Sequence, residues 1–381
     1  MLGNEDKAEN FRSFACSIDQ DMIDSLRSNK PEDNISGSNF KLNSLTTTVT
    51  MIPLHHKDTF RWVEGGVVDV YGSKLGHRVS KKSAYRKSLI YEDMHDLGYR
   101  CNFVRPVMDW RPWRLAALDM VNPYNNIDTK ILKLCSSSYI TGVEALLPEK
   151  AYDDIMIYSD KVAINGAAGV KFVDKLNRST SMGYPWSTCK KAYMVPLAGE
   201  VGEDLVDFTE EVKFEVDRMI ENYSQGYLMH PVFSAHIKDE AISAEKSAAG
   251  KGRVFTGSPV HFTIVMRKFF LSVTRLIQLN GIAFEAAPGV NCMSYQWQNI
   301  YDHITKFGVD RMVAGDYSKF DKKMSPIFIM EAFSILIHFM KKRIDNPDYI
   351  RIMWCIAFDT AYPTVLFNGT FVRFYGSNPS G

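Results

Sequence analysis

The run Arg311-Met-Val-Ala-Gly-Asp-Tyr-Ser-Lys-Phe-Asp321, followed directly by Ser325-Pro326 and an apolar stretch to Phe339, constrains this chain more than any other segment. Met312, Val313 and Ala314 predict a buried strand too short to be a helix, and Gly315 lets a ligand or a neighbouring backbone come close. Ser325-Pro326 predicts a helix start, because proline at the first helical position loses no hydrogen bond. Asp316 and Asp321 therefore fall between a strand and a helix. A carboxylate at a strand's C-terminal end is placed to hold a divalent cation such as Mg²⁺, which takes few protein oxygens and otherwise water and phosphate. The spacing alone does not decide, since Asp19 and Asp24 repeat it in a polar segment.

Upstream, His236 to Phe255 carries Lys238, Lys246, Lys251 and Arg253 on a segment with two glycines. This pattern suits a triphosphate, because guanidinium forks onto phosphate oxygens and lysines supply point charges; a solvated charged loop is the alternative. It is not a Walker loop, since Glu245 stands where the first glycine is required and Gly252 replaces Ser/Thr. The loop Asn177 to Trp186, with Thr180, Ser181, Gly183, Tyr184 and Pro185, offers hydroxyls and exposed amides that suit a phosphodiester backbone. Between Gly72 and Ile90 lie Lys74, Arg78, Lys81, Lys82, Arg86 and Lys87 with no acid, a strip for a polyanion or a solvated face.

The remaining elements follow from local signals. Val67 to Tyr71 predicts a strand, and Asp128 an N-cap for a helix over Thr129 to Cys135. Glu203 to Tyr223 and Phe262 to Leu279 predict helices. Asn368-Gly369 between Thr364 and Arg373 predicts a hairpin with a type I′ turn. The tryptophans of Trp110-Arg-Pro-Trp113 suit packing more than base stacking. Residues 1–60 are expected to be a flexible linker or upstream polyprotein segment.

Composition matters chiefly for what it excludes. At 381 residues and 45% hydrophobic content the chain can bury a large core of two or three subdomains. The six scattered cysteines include no Cys-x-x-Cys pair, so neither a zinc cluster nor a disulfide framework is indicated. No apolar stretch is long enough to span a bilayer, and no signal peptide is evident.

Taken in order, Pro106 to Trp113, Asn177 to Trp186, Arg253 to Pro259 and Asp316 to Asp321 resemble the RNA-dependent RNA polymerases of picorna-like positive-strand RNA viruses, with a marnavirus-like flavour. The likeness runs from about Trp62 to Gly381. It implies an α+β right-hand polymerase fold, with only the fingers and the first part of the palm present. The implied boundaries are fingers over 61–262, palm over 263–342, and a return to the fingers with the start of motif B over 343–381. It implies template contact by Thr180, Ser181, Gly183, Tyr184 and Pro185, and nucleotide entry past Lys238, Lys246, Lys251 and Arg253. Asp316 is then a metal ligand, aided by the Tyr317 carbonyl. Asp321 and Ser380 face the incoming ribose. The Gly-Asp-Asp turn, the rest of motif B and the thumb are missing, so the chain is expected to be a fragment of a longer polymerase or polyprotein, inactive alone. Mg²⁺ or Mn²⁺ and nucleoside triphosphates are the implied cofactor and substrates. RNA template, primer and other viral replication proteins are the implied partners, in the host cytoplasm at replication complexes. The alternative is a non-catalytic RNA-binding module.

Overall fold

The fold is known from a computed structural model that describes residues 26, 40–42, 68–74, 82–124, 126–186, 188–198 and 204–379. Most of residues 1–60, part of the basic strip including Arg78 and Lys81, and Ser380-Gly381 lie outside the described residues. The elements in chain order begin with β1 (Phe40–Leu42), β2 (Val68–Lys74), α1 (Tyr91–Asp96), β3 (Phe103–Val104), α2 (Trp110–Met120), α3 (Thr129–Leu146) and α4 (Asp160–Asn165). There follow β4 (Met194–Pro196), β5 (Val206–Phe208), α5 (Glu210–Ser224), β6 (Val232–Ile237), β7 (Ile242–Ser243), α6 (Ala244–Ala248) and β8 (Val254–Gly257). The last are α7 (Val260–Leu279), α8 (Tyr295–Ile304), α9 (Phe320–Lys323), α10 (Pro326–Met340), α11 (Pro347–Ala361), β9 (Thr364–Phe367) and β10 (Thr370–Phe374).

The main sheet has the order β1-β2-β10-β9-β6-β8. Its neighbours are antiparallel except β6 and β9, which run parallel with Val232 opposite Thr364. Parallel neighbours need a long crossover, and the chain from β8 through α7, α10 and α11 supplies it. Every residue of β9 and β10 is buried, which explains their continuous apolar runs in place of alternation. Their turn is the predicted one: Asn368 and Gly369 both take positive φ, 50° and 86°, as a type I′ hairpin requires. The hairpin carries a buried charge. Arg373 is 2% exposed and stands opposite Asp69 of β2, whose carboxylate also accepts the Tyr375 hydroxyl at 2.8 Å.

The apolar helices α7, α10 and α11, joined by α5, pack on one another and share one core with this sheet, Phe233 of β6 lying edge-on to Phe262 of α7 at 5.5 Å. Ser325 caps α10 by accepting from the Ile327 amide at 3.3 Å, with Pro326 at its first position as expected. Asn346 caps α11, accepting from the amides of Asp348 and Tyr349. A buried carboxylate knits the layer. Asp359 of α11 accepts from the Tyr223 hydroxyl at 2.6 Å and from the amides of Met229 and His230 at 3.1 and 3.0 Å.

Three expectations require correction. The helix opened by Asp128 does not stop at Cys135 but continues to Leu146, and the Ser136 hydroxyl inside it donates to the Leu132 carbonyl at 3.0 Å. Within Glu203 to Tyr223, the helix starts only at Glu210. Val206–Phe208 instead pairs as a strand with Met194–Pro196. Finally, Met312, Val313 and Ala314 are neither strand nor buried: they run as irregular backbone, with Val313 98% exposed. A strand exists only through a paired neighbour, and among the described residues none lies beside this segment.

Candidate nucleic-acid and nucleotide site

The two carboxylates that organise the sequence lie in and just after an exposed loop. Asp316 is exposed, and no hydrogen bond or ion pair engages its carboxylate among the described residues. Gly315 beside it has open space around it, so the close approach that glycine permits is available. Tyr317 is 80% exposed, with its ring 5.3 Å from that of Phe320. Lys319 turns the chain in the left-handed conformation at φ 58°, and Asp321 then opens α9, half-buried, with Oδ1 accepting from the Lys322 amide at 2.9 Å.

The loop is tied to the rest of the protein through α2. Lys319 Nζ meets Asp119 Oδ1 at 2.7 Å, and the Tyr124 amide donates to the Lys323 carbonyl at 3.0 Å. The N-terminal end of α2 supports the basic segment. A Cβ on Gly250 would lie 2.8 Å from Arg111 Cβ, and one on Gly252 would lie 2.9 Å from Pro112 Cγ. These glycines permit close approach to the helix. Trp113 is the packing anchor expected, 2% exposed and edge-on to Phe367, whereas Trp110 is 46% exposed. Hence α2 bridges the carboxylate loop and the cationic segment, a role that its sequence did not suggest.

The four cations Lys238, Lys246, Lys251 and Arg253 are all exposed on the excursion from β6 through β7 and α6 to β8. The strand pair positions two of them: the Lys238 amide donates to the Arg253 carbonyl at 2.8 Å, one step beyond the Ile237–Val254 pair. Both side chains converge on Glu240, at 3.1 and 3.4 Å. Lys246 begins the turn capped by Ser243, and its carbonyl accepts from the Lys251 amide. The adjoining Asp239 holds the described end of the basic strip, accepting from the Ser83 hydroxyl and from the Ala84 amide at 2.7 Å.

The loop 177–186 is seated where β8 enters α7. Val260 donates to the Met182 carbonyl at 2.8 Å, and Gly183, at φ 76°, lies so close to Pro259 that a Cβ would sit 2.7 Å from its Cα. The Thr180 hydroxyl is committed internally: it donates to the Asn177 carbonyl and accepts from the Lys190 ammonium. Ser181 Oγ accepts from the Gly183 amide at 3.1 Å, which leaves its own proton to donate. Tyr184 is buried, and burial pushes its phenol pKa up, so it stays protonated. Lys190, Asp119 and Lys319 were not singled out from sequence; only their structural neighbours reveal them.

The end of the described chain returns to the carboxylate loop. Ser377 donates to the Met324 carbonyl at 2.8 Å, and Pro379 joins Thr180, Ser181 and Gly183 in lining one cavity of about 650 Å³. Ser380 itself lies outside the described residues. Among the described residues no group of three His, Cys, Asp or Glu side chains could hold a metal, and no helix is long and apolar enough to cross a membrane.

The sequence profile of the family described as viral RNA-dependent RNA polymerase matches residues 138–381. The replicase polyprotein of Cricket paralysis virus is 30% identical over 186 residues, covering 48% of this chain and 10% of that polyprotein. That of Drosophila C virus is 30% identical over 221 residues, covering 55% and 12%. The genome polyprotein of Deformed wing virus is 24% identical over 329 residues, 81% of this chain and 11% of that one. Among solved structures, the Sicinivirus 3Dpol RNA-dependent RNA polymerase superposes with a TM-score of 0.58 at 17% identity, covering 80% of this chain and 60% of that one. The chain thus spans about a tenth of these curated polyproteins and 60% of the solved polymerase.

Proposed function

We propose, from the premise that this chain belongs to the viral RNA-dependent RNA polymerase family, that it supplies the fingers and the first part of the palm of an enzyme that copies RNA from ribonucleoside triphosphates. The observation that carries the reading is the bridge made by α2, which touches the segment of the exposed cations at its start and the loop of Asp316 and Asp321, through Lys319, at its end. A triphosphate needs cations around its phosphates and a carboxylate beside its reacting end. Fingers over 61–262, palm over 263–342 and a return to the fingers after 343 agree with this division.

The donor chemistry near Asp316 fits a hard divalent ion. An exposed carboxylate that no partner among the described residues engages and the adjacent Tyr317 carbonyl are oxygen donors of the kind Mg²⁺ or Mn²⁺ prefers, and Mg²⁺ is commonly held by only one or two protein carboxylates. An ion held there by Asp316 and the Tyr317 carbonyl would supply positive charge at the reacting phosphate and acidify the attacking hydroxyl. The residues of this chain contribute binding and positioning. Arg253 and Lys238, already gathered on Glu240, exchange that partner for triphosphate oxygens, with Lys246 and Lys251 adding charge along the entry path. Asp321 accepts from the ribose 2′-hydroxyl, the group by which a protein distinguishes ribonucleotides from deoxyribonucleotides, and Ser380 joins it. The template runs over Ser181, Gly183, Tyr184 and Pro185, with Thr180 as a strut of that loop, through contacts that read no sequence.

The RNA template, a primer and other viral replication proteins are the partners, and the host cytoplasm the site of action, at replication complexes. The test is template-directed incorporation of labelled ribonucleotides by the parent polymerase with Mg²⁺. Product whose sequence follows the template supports the reading. Salt-dependent RNA binding without incorporation favours a non-catalytic RNA-binding module instead.

A further inference from the structure

Away from the proposed site, a cavity of about 560 Å³ opens between α3, α10 and α11. Helical spacing builds its walls. On α3, Lys133, Ser136, Ser137 and Ile140 recur at intervals of three and four residues and so share one face, and on α10 Glu331, Ser334, His338 and Lys341 do the same. Trp354 of α11 completes the lining. The cavity shares no residue with the carboxylate loop or with the cationic excursion from β6 to β8.

Two polar groups of this lining are buried without partners among the described residues. Glu331 is 6% exposed, and no hydrogen bond or ion pair engages its carboxylate, Oε2 being shut off from solvent. Trp354 is 2% exposed, and its indole Nε1 meets no acceptor. Buried polar groups are normally satisfied, so an unpaired acceptor and an unpaired donor in one cavity wall mark a place where something else completes the bonding. The rest of the charge is positive. Lys133, Lys341 and Lys342 line the cavity, and Glu331 is its one acid among the described residues. Glu144 holds Lys342 and also His338, whose Nε2 lies 2.8 Å from its carboxylate, whereas the exposed Lys341 ammonium has no partner among the described residues. A fitting ligand brings N–H donors to Glu331, an acceptor to Trp354 and negative charge to Lys341.

We propose that this cavity binds a guanine nucleotide, with the base inward on Glu331 and Trp354 and the phosphate outward on Lys341. Guanine alone among the RNA bases sets two N–H donors side by side, at N1 and N2, which match the paired oxygens of a carboxylate. Its O6 and N7 are acceptors for the indole N–H. In adenine and cytosine the amino donor adjoins a ring-nitrogen acceptor that a carboxylate repels, and in uracil the N3–H lies between two carbonyls. The volume falls in the range of small-molecule sites. Glu331 reaches the base by turning its carboxyl about the terminal torsion, which is soft. The assignment does not rest on the polymerase reading, since neither template nor metal takes part.

The experiment is equilibrium dialysis of this chain against labelled GMP, without Mg²⁺ or RNA. GMP is expected to bind, with AMP and UMP at least about tenfold weaker, and inosine monophosphate, which keeps N1–H but lacks the 2-amino group, also about tenfold weaker. Glu331→Gln keeps the shape but removes the charge and one acceptor, and it should weaken GMP about tenfold while leaving AMP unchanged. Lys341→Ala, at an exposed position, should weaken GMP about fivefold and leave guanosine unchanged, because the nucleoside carries no phosphate. Absence of GMP binding, or equal affinity for GMP and AMP, overturns the proposal and leaves the cavity to water. Bound GMP that UTP displaces as readily as GTP does sits in a general nucleotide site and overturns it too. If Glu331→Gln does not fold, Lys341→Ala decides, and wild-type GMP affinity in that variant overturns the assignment. None of these results bears on the polymerase reading, which template-directed incorporation tests separately.

Discussion

Gly376→Ala is expected to disconnect the exit of the β9–β10 hairpin from the start of α10. Gly376 has φ 91°, and its position forbids a side chain: a Cβ would lie 2.2 Å from the Met324 carbonyl oxygen, 2.9 Å from Pro326 Cδ and 3.0 Å from Pro326 N. An ordinary carbon–oxygen contact is about 3.3 Å or more, so the segment must withdraw by roughly 1 Å. Withdrawal strains two flanking hydrogen bonds, Gly376 to the Ala361 carbonyl at 2.9 Å and Ser377 to the Met324 carbonyl at 2.8 Å. Overpacking costs about 1–3 kcal/mol and the left-handed backbone of an L residue about 1–2 more. The sum, about 2–5 kcal/mol, should lower the urea midpoint and, for a chain of this size, the Tm by roughly 2–6 °C. In the parent polymerase, incorporation should fall about 100-fold, because a 1 Å displacement of the positions that flank Asp321 and Ser380 spoils alignment. A Gly376→Ala chain with an unchanged urea midpoint and wild-type incorporation would refute the reasoning.

Tyr223→Phe removes the hydroxyl bond to the buried Asp359 carboxylate and is expected to cost about 1.5–3 kcal/mol by urea denaturation. His261 is buried against Trp186, and burial first, with Arg218 second, lowers its pKa to about 3. The unfolded chain takes up that proton below about pH 6.5 while the folded chain refuses it until about 3. Its contribution is therefore fully present above pH 6.5 and is lost as pH falls through this window, at up to roughly 1.4 kcal/mol per unit. His261→Phe should flatten the urea-midpoint profile between pH 6 and 4 by about that slope, and parallel profiles would contradict it. Arg253→Ala in the parent polymerase should raise the KM for nucleoside triphosphates about tenfold with little change in RNA affinity if the guanidinium serves the proposed entry path; an unaltered KM removes it from that path.

Local signals proved legible where one residue dictates one geometry. Asn368-Gly369 could form little but a type I′ turn, and Ser325-Pro326 could do little but start a helix. The Asp128 cap was equally plain, though Ser136 to Ser138 concealed the length of the helix behind it. Met312 to Ala314 was misjudged because a strand is a property of two segments, and an apolar triplet carries no information about whether its neighbour is at hand. The candidate site was half legible. The carboxylates, the cations and the hydroxyl-bearing loop 177–186 on which the proposal rests can be picked out by type and order. Lys190, Asp119 and Lys319 do not, because their meaning lies in contacts that sequence separation hides: Asp119 and Lys319 stand 200 residues apart. Thr180 shows the converse, a residue of the right chemistry whose hydroxyl is spent inside its own loop.

The central claim is that Asp316 serves chemistry and not stability, and Asp316→Asn in the parent polymerase tests it most directly. Because nothing among the described residues bonds its exposed carboxylate, the change should leave the urea midpoint within about 0.5 kcal/mol of wild type and the RNA affinity intact. Template-directed ribonucleotide incorporation with Mg²⁺ should fall by about three orders of magnitude. Incorporation at the wild-type rate by a folded Asp316→Asn enzyme would contradict the account.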